Sequence, residues 1–86
     1  MIELQSITPV ILAEFLTAAA IRHPGVGWAR RYAEDACTEL GVDAEDFKAR
    51  VKTAARAHHE YEQGLGKRHE AWALWYANHM LGNKTH

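Results

Sequence analysis

The side chains able to do chemistry crowd into one stretch, Ala57 to Leu81 (AHHEYEQGLGKRHEAWALWYANHML). It holds four of the six histidines, two of the three tryptophans and two of the three tyrosines. His58 and Glu62 are four residues apart, so on a helix both side chains point the same way. An imidazole beside a carboxylate can act as a general base with its orienting partner, or as two ligands for a small molecule or a metal. Tyr61, His69 and His79 could complete such a site. Trp72, Trp75 and Tyr76 add an aromatic group that reads either as core or as the wall of a pocket for a flat or cationic ligand. These eight residues form the candidate ligand-binding set.

Each also has a plainer reading. His58 falls on the apolar line of its helix, where a buried neutral histidine bonded to a hydroxyl, a carboxylate or a carbonyl is the ordinary outcome. Aromatic residues at helical spacing are ordinarily core. A dedicated metal site would show tight ligand pairs, such as His-Glu-x-x-His, or Glu-x-x-His on each of two helices. The chain has neither: His59-Glu60-Tyr61-Glu62 offers a single His-x-x-Glu, His69 and His79 lie ten apart, and His58 with Glu62 is a weak alternative pair, so no metal and no cofactor is expected. Nucleophiles are scarce: Ser6 is the sole serine, and Cys37, the sole cysteine, falls on an apolar helix face as a small core residue. Gly25-Val26-Gly27 lacks the strand before it and the Lys-Ser/Thr after it that a phosphate loop requires. The balance leans away from an enzyme.

Bulk properties narrow the class further. A chain of 86 residues with a formal net charge of −1 carries no surplus of positive charge to seek nucleic acid or a membrane. One cysteine cannot build a disulfide framework, which points to the cytoplasm. Ala18-Ala19-Ala20 could pass for a signal cleavage site, but the chain opens Met1-Ile2-Glu3 and carries Glu14 within the apolar run. No segment has the roughly 18–20 apolar residues needed to span a bilayer. The turn between helices two and three resembles a helix-turn-helix, yet Asp43, Glu45 and Asp46 would face phosphates with the wrong charge, so nucleic acid is not expected as a partner.

Four helices must position the candidate residues. Thr8-Pro9 is a strong start for a first helix over 9–22, with Ile11, Phe15, Leu12, Leu16 and Ala19 as its buried stripe, and His23-Pro24-Gly25 ends it. The second spans about 27–40, with Trp28, Tyr32, Ala36 and Leu40 on one side, Ala29, Ala33 and Cys37 widening it, and Gly41 as a left-handed cap. The third spans about 44–63 behind the cap Asp43, and its buried line is Phe47, Val51, Ala54, His58, Tyr61 and Leu65. The fourth covers about 67–81. Between Ala71 and Leu81 nine of eleven residues are apolar, which requires burial on several sides. Short connections and no strand-like alternation indicate a single all-α domain over 1–86, a compact four-helix bundle or orthogonal array.

The run Ala57-His58-His59-Glu60-Tyr61-Glu62, then His69 and Trp72, then Trp75-Tyr76-Ala77, resembles a segment of small bacterial helical proteins. In those a His-His-x-Tyr-Glu stretch precedes a Trp-Tyr-Ala helix, sometimes beside glyoxalase-like proteins. The resemblance covers about the last third of the chain and implies that the cluster recurs as a unit; no activity comes with it. Helices one and four present more apolar surface than so short a chain can cover, and leftover apolar patches mark contact sites. The leading expectation is therefore a non-enzymatic binding module that docks on a protein partner or pairs with itself as a homo-oligomer. The alternative is a small enzyme or a ligand or metal sensor built on the cluster between helices three and four, with His58 as base or ligand and Glu62 as its partner.

Overall fold

A computed structural model describes residues 2–66 and 71–83 of the chain. Four α-helices make up the fold: α1 (Pro9–Arg22), α2 (Trp28–Leu40), α3 (Ala44–Leu65) and α4 (Trp72–Met80). A 3-10 turn, Leu4–Ser6, precedes them. The helices pack in cyclic order, α1 on α2, α2 on α3, α3 on α4 and α4 back on α1, which makes an all-α four-helix bundle. Residues 67–70, where the fourth helix was expected to begin, lie outside the described residues, and α3 continues two residues past Gln63.

Local chemistry sets the helix ends. The Thr8 hydroxyl accepts from the Ile11 N–H at 3.3 Å, with Pro9 at the first helical position. The Asp43 carboxylate accepts from the Asp46 N–H at 2.8 Å. Gly41 closes α2 in the left-handed region at φ 73°, and its carbonyl accepts the Ile2 N–H at 2.8 Å, pinning the N-terminal segment so that Leu4 is buried.

The core is continuous. Leu12, Phe15, Leu16 and Ala19 of α1, Tyr32, Ala33 and Ala36 of α2, Phe47, Val51 and Ala54 of α3, and Ala77 and Met80 of α4 meet in one cluster. Phe15 and Phe47 pack edge-to-face across it, centroids 5.6 Å apart at 85°. At the far end of α4, Arg50 donates from Nη1 to the Met80 carbonyl at 2.7 Å and from Nε to Asp46 at 3.0 Å, tying α4 to α3.

Three expectations about burial need correction. Cys37 is exposed. The buried face of α2 is centred on Ala29 and Ala36, and at about 100° of rotation per residue Cys37 turns away from it. The native chain should consequently give up one thiol to an aromatic disulfide reagent at a rate close to that of the denatured chain. A thiol that reacts only after denaturation would contradict this placement. Ile11, in the first turn of α1, and Leu65, in the last turn of α3, are both exposed; each shares a face with buried neighbours but sits at a helix end. Finally, α4 is not enclosed on every side. Trp75, Ala77 and Met80 are buried, whereas Leu74 is 44% exposed beside a groove of about 630 Å³ between α1 and α4. Among the described residues no helix is long and apolar enough to cross a membrane.

Candidate ligand-binding cleft

Among the described residues His58 is the one polar side chain classed with the buried core, 4% exposed. Its position follows from the straight line Phe47, Val51, Ala54, His58 along α3, which turns toward α4. Trp75 and Tyr76 meet the imidazole edge-to-face, with ring centroids at 5.1 Å and 5.2 Å. Nδ1 lies 3.6 Å from Oε1 of Glu62, beyond normal hydrogen-bond length and close enough for a charge contact when the ring is protonated.

An open cleft of about 340 Å³ begins at this histidine. His58 and Glu62 of α3 form one side, Trp72 and Tyr76 of α4 a second, and Trp28 and Tyr32 of α2 a third. Ala20, His23, Pro24 and Gly25 complete it from the end of α1 and the following turn. That turn is held in place by a polar network. Nε2 of His23 meets Oδ2 of Asp35 at 2.7 Å, and the Arg22 guanidinium contacts Asp35 and Glu39, each at 3.0 Å. Gly25, at φ 97°, lets the chain reverse there, a conformation side-chain-bearing residues rarely adopt. Trp28 packs edge-to-face on Tyr32, and Trp72 on Tyr76, with centroids at 5.0 Å and 5.2 Å.

Of the eight candidates, then, His58, Glu62, Trp72 and Tyr76 come together on the cleft. Tyr61, Trp75 and His79 do not line the cleft but form an aromatic row behind His58: Tyr61 to Trp75 at 5.3 Å, tilted, and Trp75 to His79 at 5.4 Å with nearly parallel rings. Trp75 supports His58 from outside the cleft. His69 lies outside the described residues. Among the described residues no group of three or more His, Cys, Asp or Glu side chains is placed to hold a metal ion. The cleft also takes in His23, Trp28 and Tyr32, which sequence reasoning assigned to a helix end and a core face.

Burial pushes the phenols of both Tyr32 and Tyr76 above their usual value of 10.0. At Tyr76 the neighbouring Tyr32 and Glu62 charges push the same way. Tyr32, Tyr76 and Glu62 all line the same cleft. Because the unfolded chain releases the phenol protons first, the stability they contribute is complete below pH of about 10 and lost as pH rises through the folded values. Denaturation midpoints measured from neutral to strongly alkaline pH should fall above that point, and Tyr76→Phe should flatten the fall. An equal slope in the variant would place the effect elsewhere.

The class defined by fold and site is a small all-α four-helix bundle with an aromatic-walled cleft at the end where α1 turns into α2. No known family model, curated protein or solved structure matches the chain.

Proposed function

We propose that this protein is a binding module whose ligand is a small molecule held in the cleft between His58, Glu62, Trp72, Tyr76, Trp28 and Tyr32. The observation that carries the reading is convergence: aromatic and titratable side chains from α2, α3, α4 and the turn after α1, distant in sequence, line one cavity. A cavity of about 340 Å³ lies at the small end of the range known for ligand pockets, roughly 300–1,000 Å³, and mixes apolar walls with a few polar groups as such pockets do. A ligand for the native state raises its stability in proportion to the logarithm of its concentration over the dissociation constant. A thermal-shift screen of the full chain against small anionic, neutral and cationic metabolites is the test. A ligand whose shift is abolished by Trp72→Ala supports the reading; a screen with no shift in any charge class ends it.

A second reading, contact with another copy of the chain, is supported by the groove between α1 and α4. Ile21, 78% exposed, and the exposed Val10 and Leu74 project beside a floor of Ala13, Ala18 and Ala73. A two-fold contact needs knob and hole on the same patch, and this face carries both. Sedimentation should show a concentration-dependent dimer that Ile21→Glu disperses. A monomer at every concentration would remove this reading and leave the first untouched.

A further inference from the structure

Resting on the ligand-cleft reading, we infer that the cleft selects a small organic cation of the alkylated-ammonium type, held between the aromatic rings of α2 and α4 with Glu62 as its counter-charge.

Two features of the wall lead there. Its apolar part is chiefly aromatic: Trp28, Tyr32, Trp72 and Tyr76 come from two helices that stand diagonally in the cyclic order of the bundle. Aromatic rings gathered from two directions are the surroundings that favour a weakly hydrated cation over a neutral group of the same shape. The second feature is charge. Among the described residues that line the cleft, Glu62 is the only carboxylate and there is no lysine or arginine. Any charge on His23 is matched at 2.7 Å by Asp35. Glu62 lines the same cleft as Tyr76, whose phenol is pushed up by burial first, then by Tyr32 and Glu62. An anionic ligand would meet this carboxylate with no lining lysine or arginine among the described residues to offset it. A primary ammonium or a metal ion would have to shed tightly held water for rings that replace it poorly, whereas an alkylated ammonium is already apolar at its surface.

The size fits the same class. A cavity of about 340 Å³, open at one side, suits a compact headgroup with a short substituent. The headgroup could belong to a free metabolite or to a methylated lysine on a peptide; the recognition chemistry is shared, and the open mouth admits either.

The experiment compares isosteres. The full chain is titrated with choline, with 3,3-dimethylbutan-1-ol, which replaces the charged nitrogen by carbon, and with a short peptide bearing trimethyllysine. Indole fluorescence and calorimetry are the readouts. Choline is expected to bind about tenfold or more tighter than its neutral isostere, a factor within reach of a desolvated cation–ring contact. Glu62→Gln should weaken choline by a larger factor than the neutral analogue, with helicity monitored to show that the variant is folded. Tighter binding of the peptide than of choline assigns the headgroup to a protein partner, and the reverse assigns it to a free metabolite; both support the inference. Equal binding of choline and its isostere, or an unchanged choline affinity in Glu62→Gln, overturns it while the cleft remains a ligand site. Binding of none of the three, with shifts from another charge class in the metabolite screen, also overturns it. Silence in both experiments removes the ligand-cleft reading itself.

Discussion

Phe47→Ala is expected to remove about 3–5 kcal/mol of stability, the usual cost of deleting a fully buried aromatic ring. Phe47 is 0% exposed and is among the largest fully buried side chains. It stands in the first turn of α3, against the ring of Phe15 on α1 and in the same core cluster as Val42, which precedes the Asp43 cap. A chain of 86 residues holds roughly 4–13 kcal/mol in all, at about 0.05–0.15 kcal/mol per residue. The substitution therefore takes from about a quarter of that stability to nearly all of it, and the variant should unfold at a much lower denaturant concentration than the parent. Phe15→Ala should cost a similar amount, and the double variant less than the sum, because the edge-to-face contact at 5.6 Å is lost only once. Leu65→Ala is the control: the residue shares the helical face of Phe47 but is exposed, and its loss should stay near the few tenths typical of surface changes. Denaturant midpoints at unchanged slope measure all four variants. A loss at Phe47 no larger than that at Leu65 would mean that the α1–α3 contact is not the centre of the fold.

That centre was legible because it rests on local rules. Thr8-Pro9 and Asp43 announce helix starts, Gly41 announces an end, and the four-three spacing from Phe47 to His58 gives the buried line of α3. The misplacements arise where a rule is blind to neighbours. Cys37 belongs to an apolar sector of α2 in sequence, but which part of that sector is covered depends on the direction from which α3 approaches. Leu74 is apolar and largely open for the same reason: α4 has neighbours on the α1 and α3 sides and a groove elsewhere. Half of the cleft was legible, namely His58, Glu62, Trp72 and Tyr76, because these lie close in sequence on consecutive helices. The other half was not. His23, Trp28 and Tyr32 are more than two dozen residues upstream of His58, and only the return of α2 alongside α3 brings them to the same space. Their composition, an imidazole and two large aromatic rings around a Pro-Gly turn, was the available signal.

His58 separates packing from polarity in a pair of substitutions. His58→Ala deletes a ring held between Trp75 and Tyr76 and opens a cavity in the buried line of α3, so it should cost about 2–4 kcal/mol, comparable to other large-to-small core changes. His58→Phe keeps a ring of similar size and gives up only the two nitrogens. Its contact with Glu62 is long: Nδ1 stands 3.6 Å from the carboxylate, and that side chain is 31% exposed and can turn to water. Discounted for solvent screening, the contact is worth about 1 kcal/mol or less. The order His58→Ala much worse than His58→Phe, measured by denaturation at neutral pH, is thus expected if the ring earns its place by packing. Equal and large losses would instead mean that the imidazole's polar contacts hold the bundle together. The folded His58→Phe variant then serves as the sharper probe of the cleft. If its stability is close to that of the parent but the thermal shift with a cleft ligand is reduced, the nitrogen atoms act on the ligand and not on the fold. Shifts unchanged from the parent would confine His58 to the core and leave Glu62 and the rings to do the binding.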